Sequence, residues 1–465
     1  MRLSRLALAG TATLALALTA TFAYAAQPAP RATASDWTQY TFDAAGSGDN
    51  TNETAITAAN VHTLHAVWTV KGGRSVSSTP LVVGGTVYWG SWDGNLHATS
   101  LATHATLWTR ALGFTTCGKC NPKVAGEAST PAFGAIGGTP VLWVADGGND
   151  AVGGGHVAAF AVNAKTGAII WRTNIVAVGG DTFMWASVRA FGGSVYVATS
   201  SQADAPVIPG HVYKLNASTG AVQANVSTGG GVFGTPSIDS ATGMIYVPVG
   251  SPTGGGTNNF AFSLLEVRAS TLAVVAHYTI PKSEQLSDGD FGSVPTLFDA
   301  TIGGVHRNLV GLGNKNGIFY AWDRTNIAAG PIWKDHVAVG GNGPQGGGGT
   351  LSPAVWDGGT LYVAGGNTTI AGKKCAGGVR AINPATGAYK WEFCVTTGHV
   401  LGALAASPGI IAVPAGSSIL VLSTAGTQLA AFKNPSGALY WGGPSIGDGH
   451  IFAGGMDGTV TALAP

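Results

Sequence analysis

The sequence predicts an all-β ring, an eight-bladed β-propeller of four-stranded antiparallel blades. Three observations predict it. A short motif recurs at a spacing of about 50–60 residues, the period of a blade-built ring. Gly accounts for 72 of the 465 residues, which suits a fold made of hairpin turns. A repeat unit near residue 463 stops before its last strand, and a strand with no repeat before it stands near residue 65.

The motif is clearest in Ala161–Trp171 and Ala381–Trp391, which share the pattern A-x-N-x-x-T-G-x-x-x-W. The apolar alternation before Asn reads as a strand. Asn with Thr-Gly reads as a tight turn in which Gly supplies φ > 0, and Trp starts the next strand. An indole at a fixed place in every unit can wedge against the neighbouring blade and bury a large area. Fainter copies run Ala98–Trp108, Leu215–Gly220 with Ala224 in the Trp place, and Val267–Leu272 ending at Ala276. Ala321–Thr325 leads on to Trp333, and Leu422–Gly426 to Leu429. The eighth unit is Pro444–Leu463. Asn60–Trp68 supplies the strand it lacks, so the segment 64–68 is expected beside 459–463, closing the ring without an open sheet edge.

Residues 60–465 are thus one propeller domain, with 26–59 leading into it. Residues 1–25 read as a secretory signal peptide. Arg2 and Arg5 precede an apolar run from Leu6 to about Ala23, and Ala23-Tyr24-Ala25 offers a small-x-small cleavage site. No Cys follows that site, which argues against a lipid anchor. No later segment holds 18 consecutive apolar residues, so the expectation is a secreted or periplasmic protein with no membrane insertion after cleavage. A formal net charge of +1 with 10% charged residues gives no electrostatic footprint for nucleic acid.

Export permits disulfides among the four Cys. Cys375 and Cys394 flank the hairpin that turns at Asn383–Gly387, and pairing Asn383 with Thr386 sets the two Cys directly opposite each other. Cys117-Gly-Lys-Cys120 is followed by Asn121 and not His, so it is not a c-type haem site. A short local disulfide is favoured there over redox-active thiols or metal binding.

One long run carries chemistry: Asp288-Gly-Asp290-Phe291-Gly-Ser-Val-Pro295, then Asn314-Lys315-Asn316-Gly317 through Tyr320 to Asp323-Arg324. Together with Asp36-Trp37, the stretch Asn60–Trp68 and Met456-Asp457-Gly458, it resembles the pyrroloquinoline-quinone (PQQ) propellers. The resemblance is strongest to polyvinyl-alcohol dehydrogenase and its relatives, and it covers nearly all of the chain after residue 25. It implies a quinoprotein alcohol dehydrogenase-like fold that oxidises small or polymeric alcohols with PQQ in the central funnel and calcium beside it. With no haem motif in the chain, electrons would pass to an external acceptor such as a soluble cytochrome c.

The same resemblance implies residue roles. Asp288 matches the carboxylate base of a Trp-Asp-x-Asp run, with Ser287 where the relatives have Trp. Lys315 matches the cation that contacts the quinone carbonyls. Phe233 stands where the relatives place a Trp under the ring, and Glu127, Trp185, Phe291 and Trp441 take equivalent places in other blades. The implied calcium ligands are Asp288, Ser251 in place of an Asn, and Asp204 in place of a Glu. The vicinal Cys pair of many relatives is absent. The residues leave other readings open: Asp288 as a solvated loop carboxylate, Lys315 as a turn residue, and the aromatics as channel packing. The whole would then be a non-catalytic scaffold for protein or glycan. Two further hits are discounted. Gly443-Pro-Ser445-Ile-Gly447 lacks the strand-to-helix setting of a nucleophile elbow. His62-x-x-His65 lacks a third ligand, and in a strand the two would point to opposite faces.

Overall fold

The computed structural model describes residues 35–175, 182–203, 208–252, 260–341 and 343–465. The expected signal peptide and Asp204 lie outside these described residues. Eight four-stranded antiparallel sheets follow one another along the chain. Blade 1 comprises Leu81–Val83, Thr86–Ser91, Asn95–Ser100 and Thr106–Ala111. Blade 2 begins at Ala132–Ile136, blade 3 at Arg189–Phe191, blade 4 at Ser237–Asp239 and blade 5 at Thr296–Ile302. Blade 6 begins at Val355–Trp356 and blade 7 at Ala405–Ser407. Blade 8 takes Ser445–Gly447, His450–Gly454 and Thr459–Ala464 from one end of the chain and His65–Lys71 from the other. Trp68 lies opposite Ala462, so the ring closes as the repeat count requires. The innermost strands of blades 8 and 1 touch.

Burial within each blade follows from its place in the ring. Central strands such as Thr86–Ser91 and Ile410–Ala415 are buried along their whole length between neighbouring blades. Outermost strands such as Val274–Thr279 alternate between half-buried and exposed residues, because one face meets water.

The A-x-N-x-x-T-G-x-x-x-W motif works as a joint between blades. Asn163 Oδ1 accepts from the Lys165 and Thr166 amides, which folds the turn, and Gly167 closes it at φ +69°. Trp108 of blade 1 lies on that glycine, whose missing Cβ would sit 2.7 Å from the indole. The indole N–H then donates to Ala164 O at 3.0 Å. Trp171 repeats the arrangement on Gly220 and Ala217 O, Trp333 on Gly387 and Pro384 O, and Trp391 on Gly426 and Thr424 O. A bulge follows the turn in blades 1, 2, 3, 4, 6 and 7, and blade 8 has one at Ala66/Trp68.

That bulge corrects the register expected around Cys375. The blade 6 turn closes between Asn383 and Ala388, and Cys394 lies opposite Gly378. Cys375 sits on a separate small hairpin, opposite Thr368. The disulfide Cys375–Cys394 forms nonetheless, with Cα atoms 5.4 Å apart, by tying this hairpin to the blade edge. Cys117 and Cys120 are also bridged. Ser445 is buried in a strand with Oγ donating to Pro80 O at 2.5 Å. His62 falls in a short 3-10 turn and not in a strand.

A feature outside the repeat finishes the ring. Residues 36–50 run as a collar past the innermost strand of one blade after another. Trp37 bridges Val82 in blade 1, and Thr38 O accepts from Phe133 in blade 2. Arg189 of blade 3 grips Tyr40 O, while Ala44 O and Ala45 O accept from Ile238 and Leu297 in blades 4 and 5. Ser47 O and Gly48 O accept from Trp356 and Ala406 in blades 6 and 7. Asn50 Nδ2 donates both to Ile446 O in blade 8 and to Ser35 O, closing the loop on its own start. The collar thereby satisfies the inner edges that the blades leave open.

Candidate functional site

A cavity of about 310 Å³ lies on the ring axis, and every blade contributes to its wall, from Ser77 in blade 1 to Trp441 in blade 8. Most of these residues immediately precede an innermost strand, where the repeats converge. Tyr40 of the collar, and Asn121 and Pro122 of the Cys117–Cys120 loop, complete it.

On the blade 5 side two segments are pinned together. Asn314 Nδ2 donates to Gly289 O at 2.8 Å and Lys315 N to Asp290 O at 3.1 Å. This places Lys315 Nζ 2.6 Å from Asp288 Oδ1 and 2.7 Å from Asp290 Oδ2. Asp290 Oδ1 accepts from the Ser251 amide at 2.5 Å, and a Cβ on Gly250 would meet that oxygen at 2.4 Å. Asp290 is only 2% exposed. Burial, and then its neighbour Asp290, push the Asp288 carboxyl up to about 7. Burial acts the same way on Asp290, but Lys315 outweighs it and holds that carboxyl below its usual range. Burial disfavours the Lys315 charge, yet the two carboxylates lift the ammonium to about 12. The three groups titrate as a unit: one negative charge in excess above about pH 7, and neutral once Asp288 takes up a proton.

Asp290 and Lys315 line the cavity, whereas Asp288 reaches it through Lys315. Phe233, Trp185 and Trp441 also face it. Trp92 stands behind the two tryptophans, its ring 5.9 Å from Trp185 and 6.1 Å from Trp441, which fixes their planes. Two expected wall residues are elsewhere. Glu127 is 0% exposed and accepts from Ser129 Oγ at 3.0 Å, behind the wall formed by Ala128 and Thr130. Phe291 packs in the core against Tyr320 and Trp322, while Gly292 and Val294 face the cavity. In both stretches the side chains alternate, so a one-residue offset turns a wall position into a core position. Burial pushes Glu127 up to about 8, and the wholly buried Asp146 beside it is raised as well, so the pair shares a proton.

Of the implied calcium ligands, Ser251 lies beside Asp290 with its buried Oγ unpartnered. Gln202 lines the cavity with its Oε1 buried and unpartnered, and its Nε2 donates to Pro122 O at 3.0 Å. Among the described residues no group of three His, Cys, Asp or Glu could hold a metal ion. Sequence reasoning passed over Asp290, although it stands in the same D-x-D run as Asp288. It had no signal for Tyr40 or Pro122, which lie outside the repeated motif, and Gln202 stands in the stretch Ser200–Asp204, where the resemblance implies Asp204 as the ligand in place of Glu.

Residues 210–334 match the family model described as the glucose/ethanol/alcohol dehydrogenase β-propeller domain (PQQ). The chain is 25% identical over 314 residues to quinohemoprotein alcohol dehydrogenase ADH IIB of Pseudomonas putida, a match covering 58% of this chain and 43% of that relative. The chain thus spans less than half the length of that curated relative. Among solved structures, the quinohemoprotein alcohol dehydrogenase from Comamonas testosteroni superposes with a TM-score of 0.71 at 18% identity, over 92% of this chain and 80% of that one. A europium-containing methanol dehydrogenase superposes with a TM-score of 0.72 at 15% identity, over 93% and 98% of the two chains. The repeat, the eight-bladed ring and the matched stretch agree: the chain has an eight-bladed β-propeller fold like that of these dehydrogenases, and its residues 210–334 are similar to the PQQ propeller domain.

Proposed function

We propose that this protein is an exported PQQ-dependent alcohol dehydrogenase that oxidises small or polymeric alcohols and hands the electrons to an external acceptor such as a soluble cytochrome c. The observation that carries the reading is the Lys315–Asp290 pair set into the wall of an aromatic-lined axial cavity, with Asp288 bonded to Lys315 behind it. When bound, PQQ supplies the two-electron acceptor for the alcohol. Three features of the chain fit such a group: flat walls from Phe233, Trp185 and Trp441, an ammonium at Lys315, and orphaned buried oxygens on Gln202 and Ser251. The chain alone is a poor calcium cage. Calcium takes 6–8 oxygens, and Asp290 already bonds Lys315 and the Ser251 amide. Gln202 Oε1 and Ser251 Oγ would be the unpartnered oxygens left to hold such a cation beside the quinone.

The residues divide the remaining work. Asp288, titrating near neutrality and bonded to Lys315 in the cavity wall, is the group suited to take up the hydroxyl proton of an alcohol by way of Lys315, because a base is most effective when its pKa lies near the working pH. Asp290 stays ionised and holds Lys315 in place. Lys315 offers hydrogen bonds to a ligand oxygen, and the aromatic walls exclude water. The test is to add PQQ and Ca²⁺ to the purified protein. A bound-quinone absorbance and alcohol-dependent dye reduction are expected. Failure to take up quinone would overturn the reading, leaving the ring as a binding scaffold.

A further inference from the structure

Every blade supplies the cavity wall, but one wall residue comes from outside the blades. Tyr40 belongs to the collar, its neighbours on either side are occupied with inner strands, and its ring lines the axial cavity. Its backbone is held unusually firmly. Arg189, wholly buried, donates from Nη1 to Tyr40 O at 2.6 Å and to Gln39 Oε1 at 3.3 Å. Its Nη2 reaches Thr41 Oγ1 at 2.9 Å and its Nε reaches Pro236 O at 2.9 Å. A guanidinium committed to four neutral acceptors spends its donors on fixing this stretch of collar. Thr41 and Phe42 then take left-handed backbone angles, φ +54° and +71°, which turn the chain sharply just after Tyr40. Such residues persist only where the surroundings hold them.

The phenol itself is free to act. Among the described residues no group accepts from the Tyr40 hydroxyl, although the ring lies deep in the molecule and is half-buried. Tyr40 is among the residues that line the cavity. Burial, only partly offset by the Arg189 charge, pushes its pKa up to about 12, so it remains a neutral donor at any working pH.

We infer that Tyr40 is a ligand-binding residue delivered to the cavity by the collar, donating its hydroxyl hydrogen bond to an oxygen of the bound quinone. Ligand binding and collar docking then stabilise one another, since the ligand finds its donor only when the collar is seated. The inference rests on the quinone reading above. It adds a contact that the eight-fold repeat cannot supply, and one that a sequence comparison confined to blades would miss.

The experiment uses the full mature chain and its Tyr40→Phe variant, which removes only the unpartnered oxygen. PQQ with Ca²⁺ is titrated into each while tryptophan fluorescence is followed, and amide exchange is measured with and without the quinone. The expected results are a roughly 5–10-fold weaker Kd in the variant, the size of one lost hydrogen bond, and quinone-induced protection of residues 36–50 that is present in the wild type and much reduced in the variant. Equal affinity and equal protection in the two proteins would overturn this inference and leave the quinone reading standing. A wild type that takes up no quinone would overturn both. Unchanged exchange of the collar without quinone shows that the variant's fold is intact, a control a purely structural tyrosine would fail.

Discussion

At the residue scale, one ammonium between two carboxylates decides what each can do. Lys315 neutralises one of them, and its charge, outweighing the burial that opposes ionisation, makes the more enclosed Asp290 the one that stays ionised. Asp288 is left to titrate near 7. Asp288→Asn should leave quinone affinity within about threefold while turnover falls ~10²–10⁴-fold, the usual worth of a general base. The base must be deprotonated to act, so wild-type kcat should rise with pH through about 7, and that limb should vanish in the variant. A flat wild-type profile would move the role from Asp288 to Asp290. Glu127 carries a different pH effect. Its folded-state value of about 8 lies above its ordinary one, so the folded state binds the proton more tightly, and stability is lost as pH rises from the unfolded value through about 8. Glu127→Gln should lessen the fall in Tm between pH 6 and 9, measured by calorimetry. The cluster was half legible in the sequence: Asp288 and Lys315 stand in a specific run, whereas the partner Asp290 becomes visible only when the turn at Asn314 brings the two segments together. Glu127 and Phe291 were misread because alternation in a strand approach is decided by a single residue of offset.

At the element scale, the joint between blades explains why the motif carries both Thr-Gly and Trp. The glycine serves the turn, with φ > 0, and also the neighbour, because an indole lies where its Cβ would be. Gly167→Ala meets both objections, a left-handed angle and Trp108 at 2.7 Å, and should cost about 1–3 kcal/mol in denaturant unfolding. An equal change at Gly137, also left-handed but with open space around it, should cost less. Blade 1 has His104 at the glycine place, at φ +61°, with its ring stacked 5.5 Å from Trp68. The sequence showed this joint in the two strong copies, and the weak copies concealed it because histidine or leucine can occupy the turn. The Cys pairing at 375 and 394 was legible too, but the assumed register was not. The counting took a four-residue turn, whereas the turn plus bulge shifts the ladder and a separate hairpin carries Cys375.

At the scale of the molecule, a ring whose blades touch only their neighbours is as strong as its weakest joint. Two segments before residue 72 counter this in different ways. The strand His65–Lys71 joins blade 8 and seals the seam, which the incomplete eighth repeat announced in the sequence. The collar ties all eight blades at their inner edges, and nothing in residues 36–50 announced it, because they carry neither the repeat nor a strand alternation. Their position depends on backbone groups that the blades happen to leave open. These roles separate under truncation. Removing residues 35–50 should leave the seam closed, so unfolding stays a single transition, but Tm should fall because eight inner edges lose their partners. Removing residues through 71 should open blade 8 as well, and the transition should broaden, with the calorimetric enthalpy exceeding the van't Hoff value as blades near the seam melt first. Scanning calorimetry of the two truncations distinguishes the devices. If the shorter truncation already broadens the transition, the collar and not the seam is what couples the blades into one cooperative unit.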